Sequence, residues 1–322
     1  MSDLPFIPEP LAGQFAGVHG GRLIVAGGTY WSMPKWDGGE KRWTQAIYTL
    51  GPGESEWRKS GEQPEPLAYG GAVSTRAGVI CIGGQGPVAA SAKVQLLSGE
   101  GSAVRQRALA DLPEPRMSLA AALCGKSIIA LGGQHSPAAA EASPKVWRLD
   151  AASSDWERAR WREASPLPGP GRILPAMAAF GDYIRVASGA ALAEDQAGRV
   201  ERTYLRDAFQ FRQGIGWTSL PLLPAPVVGA PACCDSAGRF LVFGGDDGAH
   251  AADVPEMGPR HPGFSRAILR LKKTGWRVAG TLPEGMVTSG VVLWRGSAVI
   301  PGGENRPGTR TARVLSIQGL LE

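Results

Sequence analysis

Six times along this chain a short apolar run closes on glycine: IVAGG ending at Gly28, ICIGG at Gly84, IIALGG at Gly133, RVASG at Gly189, LVFGG at Gly245 and AVIPGG at Gly303. The intervals are 56, 49, 56, 56 and 58 residues. Runs this short and this uniformly apolar fit strands buried on both faces. A smaller apolar run precedes each, as at Gln14–Val18 or Ala176–Phe180, with a tight turn such as His19-Gly20-Gly21 or Phe180-Gly181-Asp182 between the two. A variable loop follows, then a third apolar run, as at Gln45–Leu50, Lys145–Leu149, Ala208–Phe211 and Ala267–Leu271. A fourth strand carries Trp57, Trp156, Trp217 or Trp276, and Pro-rich text such as PEP at 64–66 or PAP at 224–226 ends the unit.

Four strands per unit, a period near 50 and a glycine pair closing the second strand are the signature of kelch repeats. Six units predict an all-β, six-bladed β-propeller, with residues 1–322 as a single domain. The glycines supply positive φ and close backbone approach near the crowded axis. The tryptophans are expected to fill the wedge between neighbouring blades. Blade 2 has Arg105-Gln106-Arg107 where the Trp should be. The last unit stops after a third strand at Thr311–Ile317. Leu4–Leu11 reads as the end of a fourth strand followed by the Pro-rich link. The N-terminal strand is therefore expected to complete the last blade and close the ring.

Composition narrows the functional classes. The 45 glycines and 26 prolines serve turns, since apolar strands recur throughout. No apolar run approaches the roughly 20 residues of a membrane helix. MSDLPFIPEP lacks a basic-then-apolar leader, so the expected location is cytoplasmic. Cys81, Cys124, Cys233 and Cys234 read as free thiols, without zinc spacing. His19, His135, His250 and His261 show no ligand spacing either, so no metal is expected. The net charge is +5, yet arginines are scattered rather than clustered, which argues against nucleic acid.

Strand order locates the chemistry. In a four-stranded meander the loop before strand one and the loop after strand two open on the same face. The residues after the glycine pairs, Thr29, Gln85, Gln134, Ala190, Asp246 and Glu304, should therefore ring one mouth of the central channel. Loops entering strand one add Gln14, Tyr69, Arg116 and Arg172. The first mouth loop, Thr29–Trp43, reads TYWSMPKWDGGEKRW; its Tyr30, Trp31, Trp36 and Trp43 could stack on sugar faces or form a lid. The densest segment is the last, Gly302–Thr311, where a Pro307-Gly308 turn could bring Arg310 back toward Glu304.

That segment, GGENRPGTRTARV, resembles the motif of the sialic acid mutarotases (N-acetylneuraminate epimerases), which are kelch propellers. GQFAGVHGGRLIVAGG at 13–28 and the Trp57–Gly84 stretch resemble further blades of that family. The Glu-Arg blade comes last and the Phe-Ala-Gly blade first, which is the cyclically permuted arrangement. The resemblance implies catalytic roles for Glu304 and Arg310, without a cofactor, on a small acidic sugar. Loop position adds Arg116 and Arg172 as clamps for a substrate carboxylate, and Gln85, Gln134, Asp246, Tyr69 and Trp31 as further substrate contacts. Two other readings share the fold. A non-enzymatic kelch module binding protein or glycan accounts for every repeat but not for the Glu-Arg motif. A copper radical oxidase needs a His and Tyr cluster that four scattered histidines do not supply.

Overall fold

The computed structural model describes residues 2–99, 103–150, 156 and 159–320. Six four-stranded antiparallel sheets form the blades of a ring. Blade 1 comprises Phe15–His19, Arg22–Ala26, Ala46–Leu50 and Arg58–Glu62. Blade 6 comprises Val292–Trp294, Ser297–Arg306 and Thr309–Ile317, and its outer strand is Ser2–Leu4 from the other end of the chain. Ser2, Asp3 and Leu4 pair with Ser316, Leu315 and Val314, which is the expected closure. Ile7 N–H extends it by donating to Ala312 O, and Ile7 and Leu11 are buried between blades 6 and 1. No helix of the described residues is long and apolar enough to cross a membrane.

The glycine pairs stitch neighbouring blades. Gly27 has a φ of 62°, and a Cβ there would lie 2.3 Å from Leu67 O of the link to blade 2. Gly28 N–H donates to that carbonyl at 2.9 Å. The same bond recurs from Gly84 to Arg116 O, Gly133 to Arg172 O, Gly245 to Met286 O and Gly303 to Leu11 O. Blade 4 replaces the first glycine with Ser188, which keeps the left-handed φ. There the Ser188 hydroxyl accepts the bond instead, from Val227 N–H at 2.8 Å.

The tryptophans lie at the seams as expected, with one reassignment. Trp57, Trp217 and Trp276 donate their indole N–H to Pro5 O, Ser165 O and Pro221 O of the preceding blade. In blade 3 the equivalent bond, to Ala110 O, comes from Trp161, which opens the strand Trp161–Ala164. Trp156 lies before that strand and is buried in the core instead. In blade 2 the Gln106 amide reaches Glu62 O and does the work of the missing indole.

A second ring, unread in the sequence, encircles the neck of the channel. Gly13, Tyr69, Leu174, Gly229 and Thr288 stand just before the first strands and Ser118 is the second residue of its own, all with positive φ. Each N–H donates to the carbonyl of the preceding member, and Gly13 closes the circle onto Thr288 O, at distances of 2.7 to 2.9 Å. Four members are not glycine, so a left-handed cost of about 1–3 kcal/mol each is offset by the closed hydrogen-bond ring.

Candidate functional site

The mouth of the channel opens into a cavity of about 890 Å³. It lies between blades 6, 1, 4 and 5 and the Tyr69 segment leading into blade 2. Its centre is the hairpin of blade 6. Sequence reading ended the second strand at the glycine pair, but here the strand runs on to Arg306 through two bulges. Glu304 and Arg310 are consequently cross-strand partners, brought together by the Arg306–Thr309 turn. Val287 bridges Glu304 from the other side through two 3.0 Å backbone bonds, which fixes the Glu304 backbone at the mouth.

The two side chains do not pair with each other. Glu304 Oε1 accepts the Gly308 N–H at 2.5 Å. Burial raises the Glu304 carboxyl above the ordinary range for Glu, and Arg310, the Gly308 N–H, Lys35 and Lys41 act against that rise. Arg310 turns to Tyr69, donating from Nη2 to the phenol oxygen at 3.1 Å, and lies over the Trp31 ring. The Tyr69 hydroxyl is 2.9 Å from Thr29 Oγ1, and the Thr29 hydroxyl reaches Ala12 O. A chain of bonds thus ties Arg310 to the neck ring. Arg310 Nε and Nη1, Thr288 Oγ1 and Trp31 Nε1 are buried without a partner. Others are distributed through the ring, but these four line one cavity, where a polar ligand would satisfy them.

Two further carboxylates line the cavity, Asp246 of blade 5 and Glu201 of blade 4. Asp246 Oδ2 accepts from Tyr204 OH at 3.0 Å, and its Oδ1 accepts from Gly248 N–H. Burial and the adjacent Asp246 push the Tyr204 phenol up to about 12, so it stays protonated. Two long loops roof the cavity. The first, after blade 1's second strand, is a small hairpin of Thr29–Trp31 with Lys41–Trp43. Trp36 pins it to blade 6 by donating to Pro307 O at 3.1 Å. The second runs through the short helix Val254–Met257 of blade 5, and Arg306 reaches Pro259 O from the hairpin. His250 and His261 stack edge to face within that loop. Among the described residues, no three His, Cys, Asp or Glu converge as metal ligands.

Of the residues singled out in the sequence, Glu304, Arg310, Tyr69, Trp31 and Asp246 line this cavity together. Arg116, Arg172, Gln85 and Gln134 lie outside its lining. Arg172 is fully buried and holds Asp207 through two bonds of 2.6 and 3.0 Å. Arg116 is buried against Glu114, which Lys145 also approaches. Gln134 donates to Ser136 O, and Gln85 is buried with its backbone bridged to Ala68 and Ala90. Loop position alone put these four at the mouth; it could not reveal the carboxylates that hold Arg116 and Arg172. Lys35 and Lys41 were missed, although both lie in the aromatic loop. The available signal was the Gly38-Gly39 turn, which makes Lys41 the strand partner of Trp31.

No family model matches the chain. It is 36% identical over 102 residues to an N-acetylneuraminate epimerase of Yersinia enterocolitica, covering 28% of this chain and 26% of that protein. It is 33% identical over 96 residues to N-acetylneuraminate epimerase 1 of Escherichia coli, again over about a quarter of each. The matched stretch thus spans about a quarter of the length of these curated relatives. Among solved structures, that of YjhT superimposes with a TM-score of 0.73 over 98% of this chain and 97% of that one, at 15% identity. The shared architecture therefore extends around the ring, while the sequence similarity is confined to part of it.

Proposed function

We propose that the protein interconverts the anomers of an acidic reducing sugar, N-acetylneuraminate being the first candidate. One observation carries the reading: a half-buried carboxyl of raised proton affinity faces the same cavity as a guanidinium with unpartnered N–H groups. Anomer exchange of a ring-closed ketose needs the anomeric hydroxyl proton removed and the ring oxygen protonated. The bond from the anomeric carbon to the ring oxygen breaks, leaving a ketone and a new hydroxyl. Rotation and re-addition of that hydroxyl to the other carbonyl face give the second anomer.

Both oxygens are bonded to one carbon, within the span of a single carboxyl group. Protonated Glu304 can donate to the ring oxygen from one oxygen while its other oxygen takes the anomeric proton. The carboxyl then ends in the state in which it began, and no cofactor enters. A positioned acid and base of this kind contributes about 10²–10⁴ in rate. Burial supports the role by keeping more of the acid form near neutral pH than an exposed Glu would have. Arg310 supplies paired donors for the carboxylate that an acidic sugar carries beside its anomeric carbon. The similarity to proteins named N-acetylneuraminate epimerase supports the same substrate class.

The test is proton NMR of a single, freshly prepared anomer with and without protein. Exchange faster than the spontaneous rate is expected. Exchange at the spontaneous rate for N-acetylneuraminate and other reducing sugars would leave a non-catalytic glycan- or protein-binding propeller.

A further inference from the structure

Three cationic side chains from two blades converge beside Glu304. Lys35 and Lys41 come from the roof loop of blade 1 and Arg310 from the hairpin of blade 6, and all three line the cavity. Each is held by aromatic rings rather than by a carboxylate. Lys35 Nζ lies 4.5 Å from the Trp36 ring centre, Lys41 Nζ lies 4.5 Å from that of Tyr69, and Arg310 lies over Trp31. Among the described residues neither lysine makes an ion pair. Cation–π contact orients an ammonium and leaves its N–H donors free.

The lysines are also anchored. The Lys35 stem packs so closely on the hairpin turn that a Cβ at Gly308 would lie 2.5 Å from its Cδ. Lys41 is the strand partner of Trp31 across the small hairpin. Of the other carboxylates lining the cavity, Asp246 is engaged by Tyr204 and Gly248, and Glu201 is exposed on the blade 4 hairpin. The half-buried charges lining the cavity, three cations against Glu304 and Asp246, leave a net positive charge, and a further anionic group is what would balance it.

We infer that Lys35 and Lys41, together with the unpartnered donors of Arg310, form the clamp that selects a carboxylate on the anomeric carbon of the substrate. This assigns to the blade 1 loop the part that loop position gave to Arg116 and Arg172. It restricts the ligand to 2-keto acid sugars, in which carboxylate and anomeric hydroxyl share one carbon, over neutral aldoses. The inference rests on the proposed sugar-binding role of the cavity.

The experiment is a binding titration with two ligands that cannot open: the methyl glycoside of N-acetylneuraminate and the methyl ester of that glycoside. Wild-type protein should prefer the acid over the ester by tenfold or more. Lys35→Met and Lys41→Met keep the apolar stem and should each lower that preference about threefold, and the double variant about tenfold. Lys41→Arg, which keeps the charge, should retain it. Repeating the titrations in a Glu304→Gln background separates carboxylate holding from any effect of the lysines on Glu304, and the same loss of preference is expected there. Folding of every variant is checked by its melting curve. An acid-to-ester preference unchanged in folded lysine variants overturns the clamp while leaving the enzyme reading standing. Failure of wild-type protein to bind either ligand overturns the sugar site itself, and the clamp with it.

Discussion

Asp207→Ala tests whether Arg172 belongs to the frame or to the site. Arg172 is fully buried, and its guanidinium meets Asp207 in a bidentate pair at 2.6 and 3.0 Å. Removing one partner of such a pair leaves a buried charge uncompensated, at a cost of about 3–5 kcal/mol. Two features pull the value to the lower end. The Asp207 side chain is 26% exposed, and Ser188 O, Pro168 O and Pro170 O remain as acceptors at 3.0 to 3.5 Å. A loss of about 3 kcal/mol is expected, a large part of the 5–15 kcal/mol typical of a folded protein. With a urea slope of about 3 kcal/mol per molar or steeper for a chain this size, the midpoint should fall by about 1 M or less at unchanged slope. Unfolding can be followed by tryptophan fluorescence, since the seam indoles Trp57, Trp161, Trp217 and Trp276 are ordered between blades. Arg172→Met with Asp207→Leu should recover most of the loss, because replacing a whole buried pair with apolar side chains is often close to neutral. Anomer exchange under native conditions should be unaffected in both proteins. An unchanged midpoint together with weakened sugar binding would refute the reasoning and return Arg172 to the substrate.

Glu304→Gln should lower the rate of anomer exchange by about 10²–10⁴ with little change in sugar affinity, and full activity in this variant would remove Glu304 from the proton transfer. The same substitution has a signed pH signature. The folded state holds the Glu304 proton more tightly than the unfolded chain, so wild-type stability falls as pH rises from the ordinary value of 4.5 through the raised one. The Gln variant should therefore melt higher than wild type at pH 7, with the gap closing below about pH 4.5; a gap that widens in acid would contradict the raised proton affinity. Tyr69→Phe keeps the ring under Lys41 but removes the acceptor of Arg310 Nη2. A bond to a charged donor is worth about 1.5–3 kcal/mol, less where water can replace it, so kcat/KM should drop about tenfold at an unchanged melting temperature. Trp36→Phe removes the indole bond to Pro307 O, and it should raise KM more than it lowers kcat if the blade 1 loop positions substrate.

The repeat was legible because propeller geometry punishes departures from it. The Gly27-Gly28 pair marks a spot where a side chain would strike the next blade's carbonyl, so the pattern survives in the text. Closure by the N-terminal strand was legible for a related reason: a blade lacking its fourth strand leaves the Thr309–Ile317 edge unpaired. The cross-strand placement of Glu304 and Arg310 followed from the Pro307-Gly308 turn. What could not be read were partnerships between distant loops. Arg172 and Asp207 are 35 residues apart, and no spacing rule joins them. Trp156 and Trp161 are five residues apart, and only the seam reveals which indole meets Ala110 O. The neck ring escaped because Tyr69, Ser118, Leu174 and Thr288 are unusual residues for a left-handed backbone.

That neck ring explains why a site built largely on loops can be held firmly. Loop side chains gain precision only when the backbone beneath them has no alternative conformation. Tyr69 has none: its N–H and C=O are both consumed by the ring, to Gly13 O and from Ser118 N–H. Its phenyl ring lies where any Cβ at position 13 would be, 2.6 Å from Tyr69 Cδ1, so the glycine in blade 1 makes room for the aromatic entering blade 2. From this fixed point the phenol holds Arg310, while Val287 holds the Glu304 backbone on the opposite strand of the same hairpin. Val287 is the neighbour of Thr288, itself a ring member. Arg310 and Glu304 are thus both referenced to one closed circle of backbone hydrogen bonds. The roof loops stand outside that circle, and the first of them meets the hairpin through one hydrogen bond, from the Trp36 indole, and through side-chain packing of Lys35 and Trp31. Rigid floor and more lightly tethered roof are the arrangement a site needs if its proton-transfer group must stay in register while the sugar enters and leaves.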